Sequence, residues 1–197
     1  VHGLPLTGGP YDLSFADGTI ELKGSGQLAK RPVILTWKEY LDSTGKDFES
    51  QITAKITADE GLRDVFGIGL EEYISGALPV DVTYTDYGVK ADIDVKGDLA
   101  PLTLHIKPFK FKKEAGVSGS LSLKAYMKGE TLEEVDQLNL STKGLSLSNG
   151  RLIFRQLSDG STDVARGSIA QAKLEKTNLN FDFEITPQDI LKIVATG

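Results

Sequence analysis

Through most of the chain apolar residues recur at every second position, the spacing of strands that bury one face. Asp17-Gly18 supplies a two-residue type I′ turn, which sets Phe15 opposite Ile20 and Leu13 opposite Leu22. A turn over 85–88 aligns Tyr84, Val82, Val80 and Leu78 with Val89, Ala91, Ile93 and Val95. Asn149-Gly150 reads as a third hairpin, with Leu147 facing Leu152 and Leu145 facing Phe154. Directly opposed residues of an antiparallel pair point to the same side, so these matches predict one apolar and one polar face. The alternation returns in Val33, Leu35 and Trp37, in 48–56, in Leu102, Leu104 and Ile106, and in 117–127. Later it marks Leu138 and Leu140, then Ala170, Ala172 and Leu174, then Leu179, Phe181, Phe183 and Ile185. The last segment, 189–195, is apolar at both parities and fits a strand or a short helix, with the strand favoured because Ile190, Ile193 and Val194 are β-branched.

One helix interrupts the pattern. Thr57-Ala58-Asp59-Glu60 has the spacing of a capping box, Leu62, Val65 and Phe66 follow at helical intervals, and Gly67 offers a stop. A second helical turn is expected over 70–74, and these apolar residues are expected to close one end or edge of the sheet. The stretch 156–166, with Ser158-Asp159-Gly160-Ser161-Thr162-Asp163 at its centre, is expected to be a long hairpin connection. The predicted fold is mainly β: a single domain over 1–197, made of a curved antiparallel meandering sheet (a groove, or an open barrel or sandwich) with one short capping helix near 57–67.

Composition narrows the function. Charged residues are 25% and hydrophobic ones 40%, as in soluble globular chains. A net charge of −6 repels phosphate backbones, so no nucleic-acid partner is expected. Cysteine is absent, which excludes disulfides and thiolate chemistry. No signal peptide opens the chain and no apolar run is long enough to span a bilayer. Because Val1 stands first and Gly197 closes a strand-like run, the chain reads as a piece of something longer.

Residues with chemistry are few. Gly24-Ser25-Gly26-Gln27-Leu28-Ala29 matches a degenerate dinucleotide-binding pattern, but Lys30-Arg31-Pro32-Val33 cannot open the helix a phosphate needs. These glycines are instead expected to mark a bulge or bend in a curved strand. The two histidines, His2 and His105, have no cysteine or second histidine nearby, and His105 is expected on the polar side. No Gly-x-Ser-x-Gly elbow occurs. Asp92 and Asp94 alternate with Ala91, Ile93 and Val95 between Lys90 and Lys96, as on a solvated face with cross-strand charge pairs. Glu133, Glu134 and Asp136 fall at a loop or strand entrance, and Asn139-Leu140-Ser141 is a glycosylation sequon. Lys107-Pro108-Phe109-Lys110-Phe111-Lys112-Lys113 reads either as a protected edge strand or as a grip for anionic lipid headgroups through Lys107, Lys110, Lys112 and Lys113. No catalytic residue, metal site or cofactor is predicted.

The order of short motifs resembles the AsmA-like superfamily of bacterial envelope proteins, in particular its large YhdP- and TamB-type members. The matching elements begin with Gly3-Leu4-Pro5-Leu6, Asp17-Gly18, and Gly26-Gln27-Leu28-Ala29-Lys30-Arg31-Pro32 leading into Ile34-Leu35-Thr36-Trp37. They continue with Leu62-Arg63-Asp64-Val65-Phe66-Gly67, Tyr73-Ile74-Ser75-Gly76, Gly97-Asp98-Leu99, and Lys113 with Gly116. The resemblance implies a segment of a periplasm-spanning, inner-membrane-anchored protein whose apolar β-groove moves phospholipid between bacterial membranes. It carries no catalytic residues. Its implied partners are a phospholipid or other acyl-chain lipid, the rest of the longer chain, and a membrane reached through segments outside this piece. The expected function is therefore a non-enzymatic lipid conduit, with a closed β-sandwich scaffold or protein-interaction domain as the alternative. Leu22, Leu35, Trp37, Val82, Ile93, Leu104, Leu121, Leu123, Leu147, Phe154, Phe181 and Phe183 are expected to face inward, lining a groove or filling a core.

Overall fold

The alternating segments pair in chain order. The computed structural model describes residues 5–65, 72–107, 110–156, 162–185 and 191–196. Its strands are β1 (Leu6–Thr7), β2 (Tyr11–Ala16), β3 (Thr19–Leu28), β4 (Arg31–Tyr40), β5 (Ser50–Ala58), β6 (Ile74–Ser75), β7 (Leu78–Asp86) and β8 (Lys90–Asp98). They continue with β9 (Thr103–Ile106), β10 (Phe111–Lys113), β11 (Gly119–Lys128), β12 (Thr131–Thr142), β13 (Leu145–Gln156), β14 (Thr162–Leu174), β15 (Thr177–Ile185) and β16 (Leu191–Thr196). One antiparallel sheet takes the order β1-β3-β4-β5-β7-β8-β11-β12-β13-β14-β15-β16, with β2 also on the outer edge of β3. The small sheet β10-β9-β6 stands apart from it. The long sheet does not close into a barrel. The mainly β, meandering, open architecture thus agrees with the alternation in the sequence.

The Asp17-Gly18 hairpin forms as expected, pairing Phe15 with Ile20 and Leu13 with Leu22. The β7–β8 hairpin keeps the expected faces in a shifted register: Tyr84 meets Ile93 and Val82 meets Val95. The turn lies further along because Asp86 Oδ1 accepts the Gly88 N–H at 2.8 Å, and Tyr87 N donates to Lys90 O at 2.9 Å. Asn149-Gly150 makes no hairpin. It lies inside β13, where register shifts on either side of Leu138 of β12 accommodate Asn149 at φ 54 as an irregularity of the ladder. The turn that joins β12 to β13 is Lys143-Gly144, so Leu147 faces Leu140 and Leu152 faces Val135. The stretch 156–166 is strand from Thr162 onward, paired with β13 from Gln156 back; residues 157–161 lie outside those described.

Helix α1 (Glu60–Val65) starts later than the capping-box reading had it. Thr57 belongs to β5, and Asp59 is the cap, its Oδ1 accepting the Leu62 N–H at 2.9 Å. Phe66 and Gly67 lie outside the described residues. The second helical turn expected over 70–74 is not what Ile74 enters: it pairs with Leu104 as strand β6.

Gly24 and Gly26 cause no bulge, since β3 and β4 pair in unbroken register from Thr19–Tyr40 to Leu28–Arg31. Their reason is close approach. A Cβ on Gly24 would meet Pro10 O, and one on Gly26 would meet the Tyr11 hydroxyl, because the segment between β1 and β2 crosses β3 there.

The packed core is local. Leu99, Leu102, Leu104, Phe111 and Leu145 form a buried cluster, with Ile74, Leu78, Ile106, Leu121, Leu140, Leu147 and Leu174 packed against it. The small sheet and the segments around it therefore roof one rim of the long sheet, on the side that carries Leu121, Leu140 and Leu147. Arg63 of α1 strengthens the same rim, its Nη1 donating to Ala58 O at 3.0 Å and Gly76 O at 2.9 Å.

Candidate apolar face

The ladder registers stack apolar side chains into rows that cross the strands. The longest runs Leu13, Leu22, Trp37, Ile52, Tyr84, Ile93, Ala125, Val135, Leu152, Gly167 and Phe183. At about 4.8 Å between strands this row is about 50 Å long. Beside it lie Leu35, Ala54, Val82, Val95 and Leu123, and then Val33, Ile56, Val80, Gly97, Leu121, Leu140 and Leu147. Where a glycine breaks a row, a neighbour fills the gap: a Cβ on Gly167 would lie 2.6 Å from the Phe183 ring, and one on Gly97 3.1 Å from Leu78. The opposite face is polar and ionic, with Lys55–Asp81 at 3.0 Å and Lys124–Asp92 at 3.2 Å. Its apolar residues include Ile34, 61% exposed, Ile153 between Glu134 and Arg166, and Val194 opposite Asp182, 64% exposed.

Among the described residues no second layer covers the greater part of the apolar face. Leu35, Trp37, Ile52, Val82, Tyr84, Ile93, Val95 and Leu123 all remain partly exposed, where the inner face of a sandwich would be closed. The accessible surface of 12242 Å² makes the same point. A compact chain of this mass exposes about 9,100 Å², so the protein shows about a third more surface than a packed globule. Burial still reaches Tyr84, whose hydroxyl is held above its ordinary pKa mainly by desolvation and then by the nearby Asp86 charge.

Of the twelve residues expected inward, Leu22, Leu35, Trp37, Val82, Ile93, Leu121, Leu123, Leu147, Phe154, Phe181 and Phe183 share this face and are half-buried. Leu104 belongs instead to the roof, 4% exposed in the small sheet. Phe181 and Phe183 are neighbours, with ring centroids 6.5 Å apart.

A concavity of about 1120 Å³ follows the row Val33, Ile56, Val80, Gly97, Leu121, Leu140 and Leu147, all of which line it. It takes in consecutive triplets such as Lys55-Ile56-Thr57 and Ser120-Leu121-Ser122, but neither Leu35, Val82 nor Leu123, and none of the roof residues Leu99, Leu102 and Leu104. Sequence reasoning missed its polar lining, although the serines that alternate with leucines on β11 and β13 are its signal.

The lysine cluster separates into different environments. Lys107 and Lys110 are exposed, and Lys112 pairs with Glu114 at 2.7 Å. Lys113 cannot serve as a headgroup ligand. It is 2% exposed, and its ammonium donates to Leu99 O at 2.6 Å, Leu102 O at 2.7 Å and Glu114 O at 3.3 Å. Burial holds its pKa below the ordinary lysine value, with the Asp98 charge opposing the shift. Residues 108 and 109 lie outside those described.

Other candidates hold structural places. His105 is exposed on β9, as expected. Asp92 pairs across strands with Lys124, not with Lys90 or Lys96. Glu134 is fixed by both Arg151 Nε at 2.5 Å and Arg151 Nη2 at 3.0 Å. The Asn139 amide donates to Gln137 O and accepts the Asn149 N–H, which supports the irregular stretch of β13. No helix among the described residues is long and apolar enough to cross a membrane. Comparison of the chain with family models, curated proteins and solved structures gives no match.

Proposed function

We propose that the apolar face seats the acyl chains of a phospholipid or similar lipid, without covalent chemistry, and that the chain is one segment of a conduit between bacterial membranes of the kind its resemblance to AsmA-like proteins implies. The carrying observation is the row from Leu13 to Phe183, continuous across the strands and, among the described residues, largely without a covering layer. An acyl chain spans half of a hydrocarbon core about 30 Å thick, so a row of about 50 Å holds roughly three chains end to end. Each methylene removed from water contributes about 0.8 kcal/mol, which favours a chain lying on the face over one exposed to solvent. Movement along the row exchanges one apolar contact for the next.

Trp37 is the chain's one tryptophan and lies in the longest row, so it reports directly on occupancy. Purified protein should carry extractable phospholipid, and phospholipid brominated along its acyl chains should quench Trp37. Val82→Lys, on the same face, should abolish the quenching, while Ile34→Lys on the opposite face should leave it intact. Lipid-free protein whose Trp37 is indifferent to brominated chains would refute the reading and favour an interaction scaffold.

A further inference from the structure

The outer edge of β2 combines two exposed features. The first is backbone polarity. In a two-residue hairpin the residues flanking the turn exchange both hydrogen bonds, so Ala16, Ser14 and Asp12 direct their N–H and C=O groups towards β3. Tyr11, Leu13 and Phe15 therefore direct theirs outward, and no described strand pairs with them. The second is apolar surface: Leu13 is 68% exposed and Phe15 67%, although they extend the rows of Leu22 and Ile20. An unpaired edge with uncovered apolar side chains, and with neither lysine nor proline among 11–16, lacks the usual protection against strand addition.

We infer that β2 is a pairing edge for β2 of a second copy of this chain, joined antiparallel about Leu13. This register places Leu13 opposite Leu13 and Phe15 opposite Tyr11, so all three outward-directed residues of each copy meet outward-directed partners. Three pairs that each exchange two bonds give six backbone hydrogen bonds. Charge permits it: Asp12 falls opposite Ser14, and no like charges meet. Apolar residues also meet only apolar or aromatic ones, which a partner strand of arbitrary sequence would not provide. Because opposed residues share a side, the two apolar faces lie on the same side of one longer sheet. The pairing does not depend on the lipid reading and is expected in delipidated protein.

Sedimentation of the delipidated chain over a range of concentrations should show a reversible shift from 21.3 kDa to twice that mass. Leu13→Pro removes an outward N–H and no bond to β3, and should weaken association at least about tenfold. The chain contains no cysteine, so an introduced thiol is unique. The register puts the Cα atoms of residue 13 about 5.5 Å apart, within disulfide reach. Leu13→Cys should therefore oxidise to a covalent dimer, while Val194→Cys, on β16 and 64% exposed, should not. A chain that stays monomeric at every concentration, a dimer indifferent to Leu13→Pro, or equal cross-linking by the two cysteine variants would each overturn the inference. Circular dichroism of Leu13→Pro and the covalent arm together separate loss of pairing from loss of fold.

Discussion

Replacing Lys113 by methionine tests how the roof is held over its rim. The substitution keeps the length of the side chain but deletes the donor that satisfies Leu99 O and Leu102 O at 2.6 and 2.7 Å. Each buried carbonyl left without a partner costs about 1–3 kcal/mol, or about 2–6 for the pair. Relief from burying an ammonium returns part of that. The expected net loss is about 3 kcal/mol, and at a urea slope of about 3 kcal/mol/M the unfolding midpoint falls by about 1 M. Trp37 fluorescence follows the long sheet, and hydrogen exchange over 99–113 follows the roof. The sign with pH is also fixed. Desolvation puts the native pKa of Lys113 below the ordinary lysine value of 10.5, so between the two the unfolded chain holds more protons and stability rises with pH. Lys113→Met removes that rise. Lys112→Gln, which breaks only an exposed pair with Glu114, should change stability by less than about 0.5 kcal/mol. If Lys113→Met proves as stable as the parent, and equally protected over 99–113, the three carbonyls are not what the ammonium is buried for.

Two further outcomes follow from the same geometry. Gly26→Ala drives a methyl group into the Tyr11 hydroxyl and to 2.6 Å from Thr7 O, so thermal unfolding should show a loss of about 1–3 kcal/mol, which Tyr11→Ala relieves only in part. Asp59 has its carboxyl pKa lowered by the Arg31 hydrogen bond first and the Leu62 N–H second. Its contribution is present above pH 3.8 and is lost as pH falls through the lower native value, so an acid titration of Asp59→Asn should lack that part of the fall.

Parity was the legible part of this fold, and register the illegible part. The side-chain period of two keeps Leu13, Leu22, Leu35, Trp37, Val82 and Ile93 on one face for any even change of pairing offset, and the β7–β8 pairing is displaced by four residues, from Val89 to Ile93 opposite Tyr84. That is why a shift of the β7–β8 register left the face unchanged. Asn149-Gly150 shows the limit. A two-residue hairpin and an extra residue within a strand both reverse parity, so either places Leu147 and Leu152 on one side, and Asn at positive φ suits both. The hydrogen bond from Asn149 N to Asn139 decides between them, and it joins residues that local pattern does not connect. Conversely, the β3–β4 turn is built from Ala29 and Lys30 at φ 48 and 67, residue types that announce no such turn. Lys113 was misjudged because a run of lysines reads as solvated. Only the tertiary fold brings Leu99 O and Leu102 O to its ammonium.

From β2 onward every strand of the long sheet lies beside its successor within that sheet, with the roof inserted as excursions between β5 and β7 and between β8 and β11. Such a chain can zip from one end as it leaves the ribosome, each new hairpin finding its template already in place. Duplicating a hairpin lengthens the span by about 9.6 Å and disturbs only its two neighbours. Reach is therefore a quantity that evolution can set by counting hairpins, independently of whatever the surface carries.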